Sequence, residues 1–346
     1  MAYPRAARPV DNGCLLLPFG QDGTMPTDDT LTKALMRLPS VFPASQAREL
    51  GLTRRQLQGR HFVCVARGVF ALADAQPDHL DLLRAFCPGT ADEFVSHSSA
   101  ARAWGLWLPP QLSGILPVHL SRLGPETAVL RNRNVRGHRS QATRADLRVV
   151  DGIRLVSPEW CWTELAGLGL DVEQLVAAGD ALLQRADGPQ RPSGVVGRNP
   201  LTTRDRIEDV LVRRPTFRGR KGARRALGMI REGVDSPMES LVRLRIVRRG
   251  WPEPAVNPRI EVAPGRFVRP DLAFPDFRIA VQYEGAHHRD GPQMTKDIRR
   301  DHALEAIDWI TVRADGAILT ARGEAEFFER LRLAFVRRGA RLPSTA

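Results

Sequence analysis

The chain has 346 residues with an ordinary apolar content, and its 51 Lys or Arg against 39 Asp or Glu give a formal net charge of +12. This length predicts two or three domains with ample core, and no apolar run reaches transmembrane length. The N-terminus has no basic-then-apolar signal sequence, and the four cysteines are widely separated without a CxxC pair, which argues against a disulfide framework and a zinc cluster. We therefore expect a cytoplasmic protein without a membrane partner.

The first 75 residues predict a flexible leader followed by a winged helix-turn-helix. Residues 1–30 carry Pro, Gly and Asp without periodicity, which is typical of a flexible segment. Three helices and a two-stranded hairpin are expected over residues 31–75, where Thr53 can cap the third helix. The helices are predicted at residues 31–38, 45–50 and 54–60, and the strands at residues 62–65 and 68–72.

The third predicted helix carries polar and basic side chains that suit a DNA groove. Arg54, Arg55, Gln56 and Arg60 can reach phosphates and base edges if this helix enters a major groove. Winged-helix folds also serve as protein–protein modules, so the residues leave both roles open.

The following region, residues 76–186, is predicted to be an α/β domain, and with the winged helix it resembles a known family. Residues from about 31 to 185 resemble the AbiEi-type antitoxin regulators of abortive-infection systems, which pair a winged helix with a second α/β domain. The resemblance implies a DNA-binding regulator with a cognate toxin or another defence partner. It is carried by Gly51-Leu52-Thr53 with Leu57, Arg67-Gly68-Val69-Phe70, Ser96-His97-Ser98-Ser99-Ala100-Ala101, Trp104-Gly105-Leu106, Val118-His119-Leu120, Gly137-His138-Arg139 and Val156-Ser157-Pro158.

Two features of this region receive no catalytic assignment. The helix predicted from Trp160 to Leu168 has Cys161-Trp162-Thr163 where the family pattern has Arg-Thr. The histidines His97, His119 and His138 are widely spaced without a supporting Cys or acidic motif, so each is expected to have a structural or hydrogen-bonding role.

A linker and two basic helices are predicted next. Residues 187–200 are rich in Pro, Gly and Arg and indicate an interdomain linker. Helices are expected at residues 201–214 and 220–232, at the start of a C-terminal domain spanning residues 201–346. From Arg213 to Arg249 there are twelve Lys or Arg against three acids, which indicates a polyanion partner, although a solvated helix face remains the alternative. The expected DNA contacts on the second helix are Arg220, Lys221, Arg224 and Arg225.

The C-terminal domain is predicted to bring polar side chains together on a β-hairpin. Residues 267–274 predict one strand, residues 278–283 the next, and Pro275-Asp276-Phe277 the turn between them. This turn places Asp271 across from Gln282, roughly 5 Å apart at Cβ, and period-two alternation puts Glu284 on the same face as Gln282. Such oxygen donors suit Mg²⁺ or Mn²⁺, which would polarise a scissile phosphate and activate water. Polar residues on one face of a hairpin are also commonly just solvated.

The residues around the hairpin resemble a second family. Residues from about 236 to 313 resemble the small endonuclease-like domain related to very-short-patch-repair nucleases, within the PD-(D/E)xK superfamily. The matching pieces are Ser236-Pro237-Met238-Glu239-Ser240, Gly250-Trp251-Pro252, Pro270-Asp271, Tyr283-Glu284-Gly285 with His288, Asp297 with Arg300, and Trp309 to Arg313.

This second resemblance implies a fold and a set of active-site residues. The expected fold is α/β (α+β), with a mixed central sheet flanked by helices and a last strand over residues 307–313. Asp271 is the main metal ligand it implies, and it places Glu239 on an N-terminal helix. His288 is a candidate for contacting phosphate or assisting proton transfer, and Arg300 is expected to contact nucleic acid on a helix shared with Asp297.

Gln282 departs from the pattern of this family, which usually has Glu at that position. A carboxamide oxygen can still ligate Mg²⁺, but it carries no charge. The predicted metal ligands are thus Asp271, Gln282, Glu284 and Glu239. Two hypotheses follow: a Mg²⁺-dependent DNA endonuclease, and a non-catalytic DNA-binding regulator of antitoxin type. The sequence fixes neither DNA over RNA nor an oligomeric state.

Overall fold

Helices and mixed sheets build the protein, which is of the predicted α/β class. The computed structural model describes residues 28–87, 92–124, 131–132, 134–188, 196–285 and 299–340. The predicted leader lies outside these ranges except for residues 28–30, which belong to the first helix, so the helix begins earlier than predicted. None of the helices in the described ranges is both long and apolar enough to cross a lipid bilayer.

The N-terminal unit has the predicted order of helices and hairpin, with one additional strand. Its elements are α1 (Asp28–Arg37), β1 (Val41–Pro43), α2 (Ala44–Glu49), α3 (Arg54–Leu57), β2 (Phe62–Ala66) and β3 (Val69–Leu72). The added strand β1 pairs with β3 and completes an antiparallel sheet of order β1-β3-β2. Phe42, Leu57 and Phe70 lie in the small hydrophobic cluster beneath the sheet.

Helix α3 is shorter than predicted, with four residues in place of the seven expected from Arg54 to Arg60. The Thr53 hydroxyl accepts from the Gln56 peptide N–H, and the Gln56 side chain accepts from the Thr53 peptide N–H at 2.9 Å, which fixes the first turn. The helix then ends at once, since Gly59, a poor helix former, donates its N–H to the Gln56 carbonyl in a tight turn. Arg60 therefore lies beyond the helix.

The middle unit is a six-stranded mixed sheet with helices packed against it. Its elements are α4 (His79–Phe86), β4 (Glu93–Val95), α5 (His97–Ala103), β5 (Val118–Arg122), β6 (Arg131–Asn132), β7 (Val135–Arg139), β8 (Leu147–Val150), β9 (Ile153–Val156), α6 (Pro158–Gly167) and α7 (Val172–Leu182). The strand order is β6-β7-β5-β4-β9-β8, in which β5 is parallel to β7 and β4 is parallel to β9. Buried apolar residues of these strands and helices form most of the largest hydrophobic cluster of the described chain.

The two basic helices, α8 (Arg204–Arg213) and α9 (Arg220–Met229), pack against α6 and α7 of this middle unit. This differs from their predicted place in the C-terminal domain. Each helix has an apolar stripe, such as Ile207, Val210 and Leu211 on α8, and that stripe joins the middle cluster. Val196, from the predicted linker, is also buried there and donates its N–H to the Ala103 carbonyl at 2.8 Å.

The C-terminal unit begins with α10 (Pro237–Arg248). It continues with β10 (Ala255–Val256), β11 (Ile260–Ala263), β12 (Arg266–Val268), β13 (Leu272–Phe274), β14 (Ile279–Glu284), the described part of α11 (residues 299–305), β15 (Ile310–Asp315) and α12 (Ala321–Arg337). The mixed sheet has the order β10-β13-β14-β15, in which only β14 and β15 are parallel.

Two predicted strands of this unit have different bounds in the structure. Residues 267–274 are split between β12 and β13, which belong to different sheets, because Pro270 lies between them and has no N–H to give to a ladder. The last strand starts at Ile310 instead of Ile307, since Asp308 has a left-handed φ of 63° in the preceding turn.

Helix α10 joins the middle and C-terminal units. Leu244 belongs to the middle hydrophobic cluster, whereas Val242 and Ile246 belong to the C-terminal one. On the middle side, Arg243 contacts Asp180 of α7 at 3.1 Å, and both side chains are only 1% exposed. The helix is therefore fixed from both sides.

Candidate active site

Glu239 is held at the start of α10 by the local sequence. Ser236 caps the helix and accepts the Glu239 peptide N–H at 3.2 Å, while Pro237 occupies the first turn. The Glu239 carboxylate accepts hydrogen bonds from the Asp235 peptide N–H and the Asn257 side-chain amide, each at 3.0 Å. The side chain is buried with a fixed orientation.

The pKa of Glu239 is raised to about 8, first by burial and then by the negative charge of Asp271. Its hydrogen bonds from Asp235, Ser236 and Asn257 oppose this rise only in part. The carboxyl groups of Glu239 on α10 and of Asp271 before β13 therefore lie near each other.

Asp271 lies opposite Gln282, in the register predicted from the turn. The β13–β14 ladder pairs Leu272 with Val281, and one further step places Asp271 against Gln282. An Asp271 carboxylate oxygen accepts the Tyr283 peptide N–H at 2.7 Å, which ties the acid to β14. The hairpin turn closes through a short 3₁₀ helix, Pro275–Phe277.

Gln282 is buried, with 4% exposure. Neither its amide oxygen nor its amide nitrogen has a hydrogen-bond partner among the described residues. A buried polar group without a partner destabilises a protein by about 1–3 kcal/mol, so each such group calls for an explanation, and a bound ion is one. Next to Asp271, this amide provides an uncommitted oxygen donor.

Glu284 lies at the exposed end of β14, where its carboxylate already pairs with the guanidinium of an arginine. Arg313 of β15 contacts the carboxylates of both Glu284 and Asp301. The parallel ladder pairs Gln282 with Arg313, so this guanidinium borders the site. No role was predicted for Arg313, although this charged residue ends the strand predicted over residues 307–313.

The remaining predicted residues of this site are only partly described. His288 and Asp297 lie outside the described residues. Arg300 is half-buried on α11, directly before Asp301. The structure thus brings together Glu239, Asp271 and Gln282, with Glu284 farther along the same strand.

The chemistry of this donor set fits a hard divalent cation. Glu239, Asp271 and Gln282 offer carboxylate and carboxamide oxygens, which Mg²⁺ and Mn²⁺ prefer. A cation would also relieve the repulsion between the two acids and engage the unpartnered Gln282 oxygen.

The predicted nucleic-acid contacts differ in how freely they face solvent. Arg55 and Arg60 are exposed and Arg54 is half-buried, but the Gln56 amide oxygen is engaged by the Thr53 backbone. On α9, Lys221, Arg224 and Arg225 are exposed. Arg220 instead donates to the carbonyls of Arg214, at 3.1 Å, and Leu211, at 3.3 Å, and so fastens the α8–α9 connection.

Comparison with known proteins finds two similar sequences, and both belong to uncharacterized proteins. No family model matches the sequence. Two uncharacterized proteins of Mycobacterium tuberculosis, from strains CDC 1551 and H37Rv, are each 30% identical to this chain over 173 residues. That match covers 50% of this chain and 58% of each relative, so the chain spans a little over half the length of the curated relatives it matches.

Proposed function

We propose that the C-terminal unit is a Mg²⁺- or Mn²⁺-dependent endonuclease that hydrolyses phosphodiester bonds in DNA. The observation that carries this proposal is the Gln282 amide, which is buried, lacks a hydrogen-bond partner among the described residues and lies opposite Asp271. Burial, and then the negative charge of Asp271, raise the pKa of the nearby Glu239. Glu239, Asp271 and Gln282 would hold the ion. When bound, the ion would polarise the scissile phosphate and make an attacking water more acidic.

The chain's own residues would position the phosphodiester. Tyr283 and Asn257 fix the orientations of the two acids through hydrogen bonds of 2.7 and 3.0 Å. Arg313 supplies a positive charge at the exposed end of β14, where phosphate oxygens can approach. In this arrangement Glu284 orients Arg313. Glu284 can become a ligand of the ion only if its ion pair with Arg313 breaks.

The basic helix α9 and the winged helix support DNA as the substrate. Lys221, Arg224 and Arg225 form an exposed basic face, and phosphate contacts provide most sequence-independent affinity for duplexes. The resemblance to AbiEi-type and very-short-patch-repair-like proteins adds a cytoplasmic role in defence against foreign DNA, with a toxin or another defence protein as partner. That role rests on analogy between families.

Cleavage of plasmid and linear duplex DNA tests this proposal directly. We expect cutting with Mg²⁺ or Mn²⁺ that stops with chelator and is lost in Asp271→Ala and Glu239→Gln. Asp276→Ala is the matched control, because Asp276 lies exposed in the turn of the same hairpin. Metal-dependent cutting that survives Asp271→Ala would assign the activity elsewhere or to a contaminant.

A second candidate function is a non-catalytic DNA-binding regulator. It is favoured by the neutral side chain at Gln282 and by the ion pair of Glu284 with Arg313, since both lower the negative charge available to a cation. Salt-sensitive duplex binding without cleavage, equal in wild type and Asp271→Ala, would select this function.

A further inference from the structure

A cluster of three histidines lies in the middle unit, far from the proposed nuclease site in sequence. His119 is on β5, His138 is on the parallel neighbour β7, and His97 begins α5. His138 Nε2 lies 3.0 Å from His119 Nδ1, and the His97 ring stacks on the His138 ring with centroids 3.7 Å apart. One nitrogen from each residue falls within 4.8 Å of the other two, so the three form a compact set of nitrogen ligands.

The backbone and a buried acid hold His97 in place. Its φ of 52° is left-handed, a strained conformation for most residues with a side chain and one often found at functional sites. The buried Glu164 of α6 accepts the His97 peptide N–H at 2.8 Å and lies 3.5 Å from His97 Nδ1. Ser96 Oγ lies closer to the ring, 3.0 Å from His97 Nδ1, so Ser96 and Glu164 hold the ring from its Nδ1 side. Ligating histidines are commonly oriented through their second ring nitrogen.

The cluster opens into a cavity of about 480 Å³. His97, His138 and Glu164 form one wall, and the other lining residues include four arginines: Arg136, Arg139, Arg214 and Arg218. Arg214 is fixed by its stacking over Trp160 at 4.4 Å and by a hydrogen bond to Thr163. The positive charge of these four arginines favours an anion as the occupant of the cavity.

We propose that His97, His119 and His138 bind a transition-metal ion of the zinc class, whose open coordination position faces the cavity and takes an oxyanion such as a phosphate group. Three imidazoles with an open position are the ligand set of catalytic zinc sites, and nitrogen donors favour zinc-class ions over Mg²⁺. The oxyanion would offset part of the positive charge of the ion and of the arginines.

Metal titration of the full chain tests the site. After chelator treatment and dialysis, Zn²⁺ is titrated by calorimetry and Co²⁺ by its visible absorption. We expect one tight ion per chain, with the spectrum of a nitrogen-ligated Co²⁺ site that inorganic phosphate alters. His119→Asn and His138→Asn should weaken binding more than about 10-fold. Arg139→Ala should reduce the phosphate effect while leaving the ion bound.

Two controls separate this site from the nuclease site and from misfolding. Asp271→Ala should keep the nitrogen-ligated Co²⁺ spectrum and its response to phosphate, because Asp271 belongs to the other site. His302→Asn, which changes an exposed histidine, should bind Zn²⁺ and Co²⁺ as wild type does. If the cluster variants fail to fold by circular dichroism, the wild-type Co²⁺ spectrum decides alone. The proposal is overturned if Co²⁺ in wild type shows only an oxygen-ligated spectrum, or if phosphate binds equally with and without metal and no stoichiometric ion is found.

Discussion

Glu239 at the start of α10 lies near Asp271 at the entry to the β-hairpin, and burial together with the negative charge of Asp271 raises the pKa of Glu239 to about 8. In the metal-free protein the pair therefore retains a proton near neutral pH. Binding of a divalent ion would release that proton, so metal affinity and pH are linked at this site.

The stability of the metal-free protein should fall as pH rises, because of Glu239. The folded-state pKa of about 8 lies above the ordinary value of 4.5, so the stabilisation is complete below about pH 4.5 and lost as pH rises through 8. Between pH 6 and 8.5 we expect the wild type to lose about 2 kcal/mol in the free energy of unfolding. Glu239→Gln should not show this loss. Urea unfolding in EDTA measures this, with Glu208→Gln, a change of an exposed residue on α8, as the control. The same dependence of stability on pH in the wild type and both variants would contradict the prediction.

Replacing Gln282 should move stability and metal binding in opposite directions. Gln282→Met removes two buried groups without partners, so the metal-free protein should gain about 1–2 kcal/mol in the free energy of unfolding while stabilisation by Mg²⁺ disappears. Gln282→Glu adds a buried charge near Asp271 and should do the reverse. Urea unfolding with and without Mg²⁺ gives both quantities. A destabilised Gln282→Met protein would show that the amide has a structural role.

Duplex binding should depend on salt through α9. We expect joint replacement of Lys221, Arg224 and Arg225 by Ala to reduce the slope of log affinity against log salt by about 2 to 3, since each lost phosphate contact removes about 0.9. Fluorescence anisotropy at several salt concentrations measures the slope. Joint replacement of Arg322, Arg330 and Arg337 on α12, an equal change of charge elsewhere, is the control, and an equal drop there would reduce α9 to a nonspecific contributor.

The buried pair of Asp180 and Arg243 should be a large single contributor to the association of the two units. Asp180→Asn leaves the Arg243 guanidinium buried with only Glu253 as an ionic partner, at 2.8 Å, so we expect a loss of about 3 kcal/mol in the free energy of unfolding. Asp209→Asn breaks an exposed pair with Arg213 and should cost less than about 1 kcal/mol. Thermal or urea unfolding compares the two variants; similar small losses would mean that water reaches Arg243.

Local patterns predicted the hairpin well, because its register depends on a short turn. Asp271 and Gln282 are joined by eleven steps of chain, and the turn residues between them set which side chains face each other. The split of the preceding strand at Pro270 was missed, since an apolar run does not show which sheet each half joins. That the Gln282 amide lacks a partner depends on neighbours distant in sequence and could not be read from the chain.

Contacts between distant segments were beyond the sequence. Two basic helices were predicted over residues 201–214 and 220–232 and assigned to the C-terminal domain, but local patterns did not show that they would pack against α6 and α7. The three histidines converge only because β5 and β7 are parallel neighbours and α5 starts beside them. Their spacing along the chain therefore suggested three separate structural roles.

The position of α10 between two hydrophobic clusters makes the halves of the chain mechanically dependent. Leu244 and Arg243 bind the helix to the middle unit, while its first turn carries Glu239. A displacement of α7, which carries Asp180, would act through Arg243 on the helix that carries Glu239. The same dependence means that a fragment starting at residue 201 would expose the apolar stripes of α8 and α9, so the proposed nuclease cannot be separated cleanly from the middle unit.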